Sequence, residues 1–223
     1  MTLQEAIQNR HSVRRYQEIP IADELVTTLQ NEIDQINRES GLHIQLITNE
    51  PKAFDTKFAH YGHFSGVTNY FALVGKKNGD LAELCGYYGE QLVLKAQQLG
   101  LHTCWVGLHY KTIPNVIAIE KGEKLALVIT VGYGKTRGGR RKSKTAEQVS
   151  NVTETSPEWF KRGVEAALLA PTAVNQQKFY FTLHEDGTVS AKAKLGPFAK
   201  MDLGIVKYHF EVGAGKENFE WRN

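Results

Sequence analysis

Apolar residues recur at helical spacing in five stretches of the chain and crowd together, or alternate, in four others. The first helix covers residues 2–9. Leu3, Ala6 and Ile7 share one face there, and Thr2 and Glu5 have the spacing of a capping box. The second runs over 22–38, where Leu25, Val26, Leu29, Ile33 and Ile36 lie near helical register until Gly41 stops it. The clearest helix is 81–99, with Leu84, Tyr88, Leu92, Ala96 and Leu99 as a stripe and Gly100 as its cap. Gly86 and Gly89 sit inside it. Each costs about 1 kcal/mol against alanine, so both imply that another backbone packs very close. A fourth helix begins at Ser156-Pro157, carries Trp159, Phe160, Val164, Ala167 and Leu168, and ends at Ala170-Pro171. A fifth covers 202–212 and stops at Gly213 and Gly215.

Strands are expected over 43–47, 69–75, 125–134 and 179–183, and 101–110 reads as a strand or turn that exposes backbone at Gly107. Residues 185–188, Glu-Asp-Gly-Thr, make a hairpin turn. Residues 61–66, Tyr-Gly-His-Phe-Ser-Gly, form a glycine-punctuated aromatic loop, which either faces a planar ligand or tucks its rings into the surface.

The chain has 223 residues and can bury a full core, as one large domain or two small ones. A net charge of +3 does not call for nucleic acid as a partner. Six of its positive charges lie between Lys135 and Lys144, as a solvated loop or as an arm that closes on a phosphate. No apolar run reaches the roughly 20 residues of a membrane span, and the first residues lack the basic and apolar regions of a signal peptide. Cys85 and Cys104 make neither a disulfide framework nor a metal site, so both are expected as reduced thiols in a cytoplasmic protein that binds no membrane. His102 and His109 lack a third partner, and no zinc site is expected.

The candidate chemistry begins at residues 10–16, Arg-His-Ser-Val-Arg-Arg-Tyr, directly after the first helix. Arginine presents a planar fork that matches phosphate oxygens, and alternation puts Arg10, Ser12 and Arg14 on one side of an extended stretch. The alternative is a basic solvated turn. Residues 171–177, Pro-Thr-Ala-Val-Asn-Gln-Gln, follow the fourth helix. Asn175 and Gln177 each donate and accept, which suits the edge of a heterocycle, although Asn also favours turns without any ligand.

Three stretches together resemble the nitroreductase superfamily of flavin enzymes. They are residues 10–16, residues 99–107 (Leu-Gly-Leu-His-Thr-Cys-Trp-Val-Gly), and residues 170–177 (Ala-Pro-Thr-Ala-Val-Asn-Gln-Gln). The resemblance covers about the whole chain. It implies an α+β fold of nitroreductase type, with an antiparallel-rich sheet flanked by helices. One departure stands out. The family's Pro-Ser-x-x-Asn motif usually follows the opening motif by one helix, and here that place holds residues 37–41, Asn-Arg-Glu-Ser-Gly. The motif instead follows the fourth helix.

The order of helix, strand and later helix repeats, with Gly86 and Gly89 matched by Gly204 in the later helices. This suggests an internal duplication, with residues 1–150 as a first half and 151–223 as a shorter second half. The chain looks like a branch of the superfamily in which both members of the usual homodimer are fused. A pseudo-dimer of this kind is expected to be competent as a monomer, and a homodimer stays open.

The cofactor implied by the resemblance is FMN. Arg10, Ser12 and His11 match family positions at the phosphate and ribityl chain, and Arg14 the position near the pyrimidine edge. Lys142 and Lys144 resemble the late basic pair that closes on the phosphate, with Arg141 as the alternative. Pro171, Thr172, Ala173 and Asn175 would pack on and bond to the isoalloxazine, and Val106, Gly107 and Leu108 match the segment whose amide faces N5. NADH or NADPH is the implied donor, and a nitroaromatic, a quinone or a similar small molecule the acceptor. The flavin carries the chemistry, so no catalytic side chain is assigned. An FMN-binding protein without turnover is the alternative reading.

Overall fold

The computed structural model describes every residue except Arg137, Arg140, Arg141 and Asn223. The chain forms two compact units that interleave along the sequence. One comprises Met1–Gln8, Ala82–Glu90 and Arg140–Asn223, the other Asn9–Leu81 and Gln91–Gly139. This division differs from the expected halves, although residues 151–223 all lie in the first unit.

The second unit is built on an antiparallel sheet in the order β1-β2-β4-β3, from β1 (Gln45–Ile47), β2 (Tyr70–Lys76), β3 (His102–Val106) and β4 (Glu123–Gly132). β2 is a near-continuous run of aromatic, branched and small apolar residues and is buried from Tyr70 to Gly75, as a central strand covered on both faces requires. β1 starts two residues later than its apolar pattern predicts. The Ile44 amide donates to Asn37 Oδ1 of α2 (Asp23–Ser40) instead of to a neighbouring strand, at 2.8 Å. α2 buries Leu29, Ile33 and Ile36, the expected face, and Gly41 closes it at φ +68°, where a side chain would strain the turn. Around Phe54 the aromatic rings of Phe64, Tyr70 and Tyr110 meet at 5.4, 5.9 and 6.3 Å. With Val13, Tyr16, Val106 and Val128 they form one apolar core.

The first unit contains α6 (Glu158–Leu168), the hairpin β5 (Phe179–Leu183) and β6 (Val189–Ala193), and α7 (Ala199–Ala214). Phe210 is the hub of its core, 4.6 Å from Phe181, 5.7 Å from Phe160 and 5.2 Å from Phe219 by ring centroid. Gly163 makes room for it: a Cβ there would stand 2.7 Å from the ring. The short helix α5 (Ala146–Val149) was not expected, and its Thr145–Gln148 capping box explains how four residues hold. The same device closes the start of α1 (Leu3–Asn9), where Glu5 N donates to Thr2 Oγ1 and Thr2 N to Glu5 Oε2.

α4 (Leu81–Gln98) corrects the expected stripe. Leu84, Tyr88 and Leu99 are only partly buried, whereas Cys85, Gly86, Gly89, Glu90 and Leu92 to Leu94 are buried. Its residues 82–90 belong to the first unit and run against α7. A Cβ on Gly86 would collide with the Met201 carbonyl, and a Cβ on Gly204 with the Glu83 carbonyl and the Tyr87 amide. Around this crossing Tyr87 donates to Glu211 Oε2 at 2.6 Å, Lys207 pairs with Glu83, and the fully buried His209 and Glu90 bond at 2.8 Å. Among the described residues no helix is long and apolar enough to cross a membrane.

Candidate functional site

The residues singled out from sequence fall into two groups, one in each unit. In the second unit, residues 10–17 run as an extended segment bonded on both sides. The Val13 amide donates to Thr103 O at 3.0 Å, which lays Ser12 parallel to β3. The Tyr16 amide donates to Ser65 O and the Ser65 amide to Arg14 O, at 2.9 and 3.0 Å. Further on, the Gln17 amide donates to Tyr133 O and the Lys135 amide to Arg15 O, both at 2.8 Å. Tyr16 anchors the segment. Its ring is buried, its hydroxyl donates to Val13 O at 2.6 Å, and Thr130 Oγ1 lies 2.8 Å away. Burial pushes that phenol well up from its ordinary value.

This scaffold rejects the solvated-turn reading. Arg10 is 6% exposed, and Arg10, Ser12 and Arg14 all approach the buried Cys104 thiol. Burial raises that thiol, and the two guanidinium groups and the Ser12 hydroxyl oppose the rise. Arg14 is exposed, with its guanidinium carbon 5.9 Å from the Phe64 ring centroid, so the ring holds one face of a cation whose edge stays open. His11 bonds the Asn9 carbonyl through Nδ1 at 2.9 Å. Gly138, at φ +78°, lies so near the His11 Cβ that any side chain there would displace the ring. His102 accepts from the Gly134 amide at 3.2 Å, and burial first, then His11, pushes its pKa down.

Val106 ends β3 with its side chain in the core, so only its backbone faces outward chemistry. Gly107 and Leu108 follow in a bend, and Leu108 is 61% exposed. The expected aromatic loop divides: Phe64 is buried in the core, while Tyr61 is exposed with its ring 6.1 Å from His109, which also lies 4.8 Å from the exposed Phe58 ring.

In the first unit, residues 142–144 and 171–177 are knit into one double loop. Asn175 Nδ2 donates to Lys142 O at 2.7 Å. Gln177 is the latch. Its Oε1 accepts from the Lys144 amide, its carbonyl from Lys144 Nζ, and its Nε2 donates to Ser143 Oγ and Leu168 O. Its amide donates to Thr172 Oγ1 at 3.1 Å. The side chain is 2% exposed and fully used, which corrects the expectation that Gln177 addresses a heterocycle. Asn175 differs: its Oδ1 is buried and has no hydrogen-bond partner among the described residues. Lys144, occupied by Gln177, is less available than the exposed Lys142, and burial lowers its pKa, with Lys194 and Lys178 adding to the shift. Arg141 lies outside the described residues. Pro171 is buried beside the half-buried Thr172 and Ala173.

The loop is strained. Val174, Asn175 and Gln177 have φ of +46°, +55° and +44°, a region that is an outlier for a β-branched residue. Asp202, in the first turn of α7, holds it. The Ala173 amide donates to both carboxylate oxygens, at 3.0 and 3.2 Å, and Gln176 Nε2 to Oδ2 at 2.8 Å. Asp202 is 3% exposed, and burial raises its pKa to about 6 against the pull of the Gln176 and Ala173 bonds. A raised folded-state pKa favours folding in acid. That contribution is complete below the ordinary aspartate pKa of 3.8 and is lost as pH rises through about 6. The span amounts to about 3 kcal/mol. Replacing Asp202 with Asn removes this titration, so the stability of Asp202→Asn relative to the wild type should rise by about that amount from pH 3 to pH 8. Urea unfolding at the two pH values checks it.

The family model described as "Putative TM nitroreductase" matches residues 2–214. The chain belongs to this nitroreductase family. Its fold agrees. A Thermotoga maritima structure described as a "putative nitroreductase" shares 23% identity over 99% of this chain and 87% of its own, with a TM-score of 0.67. A nitroreductase structure from Desulfovibrio desulfuricans, in complex with FMN, shares 18% identity over 70% of this chain and 99% of its own, with a TM-score of 0.54. The NfrA1 nitroreductase of B. subtilis shares 12% over 70% and 74%, also at 0.54. No curated protein matches. Within this nitroreductase chain, Asp202 and the latch role of Gln177 are the residues the sequence did not disclose. Asp202 looked like an ordinary acid at a helix start, a position that needs no further explanation.

Proposed function

We propose that the protein is an FMN-dependent oxidoreductase that passes electrons from NADH or NADPH to a nitroaromatic, a quinone or a similar small acceptor. The observation that carries the reading is Asn175 Oδ1, a buried acceptor with no partner among the described residues in a strained, doubly tethered loop. An unpaired buried acceptor costs about 1–3 kcal/mol, and a ring N–H donor such as the flavin edge carries would satisfy it. The family membership and the FMN in the Desulfovibrio relative support the same cofactor.

Arg10, Ser12 and His11 would hold the phosphate and ribityl chain, and Lys142 would add charge for the phosphate. Arg14 would hold the pyrimidine edge and supply a cation there. Thr172 keeps its hydroxyl hydrogen free to donate, because its oxygen already accepts from Gln177. The amides after Val106 supply a donor from backbone that ends a strand and is therefore not used by the sheet. FMN, when bound, supplies reversible two-electron chemistry. The exposed rings of Phe58 and Tyr61 give a flat acceptor a surface to stack on.

The duplication is part of the proposal. Gly86 meets residues 201–205 and Gly204 meets residues 83–87, a reciprocal contact of the kind a two-fold axis produces. One chain is then the working unit, and a light-scattering mass of one chain checks it. The function is tested by the absorbance spectrum of the purified protein under nitrogen. Bound-flavin bands that bleach on adding NADH or NADPH are expected. A protein that cannot be loaded with FMN refutes the cofactor, and a flavin that neither nucleotide bleaches refutes the donor.

A further inference from the structure

We propose that Asp202 is a positioning residue for the cofactor site: it clamps the strained Ala173–Gln177 turn in the one conformation that presents Asn175. This rests on the FMN reading above. The turn cannot hold itself. Three of its residues have positive φ, and Val174 points its side chain into solvent at 91% exposure, so no packing of that side chain pins the backbone. Gln177 fixes the C-terminal end and Asn175 is tied by its own Nδ2 to Lys142 O. The N-terminal end depends on Asp202, which takes the Ala173 amide with both oxygens and reaches across to Gln176. Gln176 also donates to Pro197 O, in the chain that leads into α7. Asp202 itself sits on the turn of α7 that packs its Gly204 against Glu83 and Tyr87, so the anchor is rigid where the turn is not.

Both groups facing the carboxylate are N–H donors, and only a carboxylate can accept from both with two oxygens. An asparagine in the same place has one acceptor and one donor. Its amide N–H would confront either the Ala173 or the Gln176 N–H, and the turn would be released without any change in volume. The clamp therefore predicts a separation between stability and binding. A merely structural acid would lose both together.

The test measures two quantities on Asp202→Asn at pH 8. FMN titration by fluorescence quenching should show a Kd raised about tenfold, the effect of losing a bond to a charged acceptor, while the thermal midpoint is not lowered. Hydrogen exchange on the FMN-free protein should show faster exchange at the Ala173–Gln177 amides and none of it spreading to β5. Gln176→Leu, which removes one of the two donors and keeps the acid, should fall between wild type and Asp202→Asn in both readouts. Wild-type FMN affinity with wild-type protection in the turn overturns the proposal. So does a loss of affinity that comes with global loss of protection, since the acid would then act on the fold as a whole. If the wild-type protein itself binds no FMN, the cofactor reading fails, and the exchange experiment still decides whether Asp202 holds the turn.

Discussion

Arg10→Ala should lose FMN affinity by about 10- to 150-fold, and Arg14→Ala by a comparable factor at the low end of that range. A hydrogen-bonded charged pair contributes on the order of 1.5–3 kcal/mol, and each 1.4 kcal/mol is tenfold in Kd. Arg10 has the larger expected effect because it is 6% exposed: the contact it makes is shielded from solvent, where charge interactions are strongest. Arg14 is exposed, and part of its field is screened by water. The two variants also separate by what they leave behind. Removing Arg14 uncovers the Phe64 ring, which already belongs to the core around Phe54, and should leave the thermal midpoint within about a degree or two. Removing Arg10 opens a buried space beside Cys104, so its loss of affinity should be accompanied by a lower midpoint. FMN titration and thermal unfolding of both variants check this. Unchanged affinity in both would remove the basic segment from the site.

The segment's basic character was legible in the sequence, and so was the shared side of Arg10, Ser12 and Arg14 in an extended stretch. Its burial was not. Arginine is rarely buried, and nothing in residues 10–16 announces that Ser65, Thr103 and Tyr133, all distant in sequence, would bond to them. The double loop shows the same limit. The resemblance to the family's Pro-Ser-x-x-Asn motif pointed to residues 171–175 as a site, but Gln177 presents identical chemistry to Asn175 and has the opposite role. Which amide is spent internally is decided by Lys144, Ser143 and Leu168, and that is a tertiary fact. Periodicity located α2 and α6 to within two residues because each buries one face, Leu29-Ile33-Ile36 in one and Phe160-Val164-Ala167 in the other. It misplaced the face of α4 because that helix is buried on more than one side, and a buried helix carries no stripe to read. Glu90 and His209, fully buried and paired, contradict any reading that sends charge to the surface.

Gly86 of α4 was read correctly for a reason that periodicity does not supply: a glycine inside a helix costs stability, so it must be recovered elsewhere. That recovery sets the second large effect. Gly204→Ala should destabilise the protein by about 3 kcal/mol or more, toward the upper end of overpacking changes, with a fall of about 6–12 °C in the thermal midpoint. Alanine is the better helix former by about 1 kcal/mol, so local propensity predicts the opposite sign. Sterics decide the outcome, because the new methyl would overlap the Glu83 carbonyl and the Tyr87 amide, and backbone atoms cannot rotate away as a side-chain tip can. The two helices must separate, which stretches the Tyr87–Glu211 and His209–Glu90 bonds on the same crossing. Gly86→Ala meets the Met201 carbonyl and the Ile205 amide and should cost a similar amount. If the crossing is the relic of a two-fold contact, the double variant should cost less than the sum of the two, since helices already parted by one methyl admit the second. Strict additivity would mean that the two glycines pack independently and that their reciprocity is a coincidence of sequence.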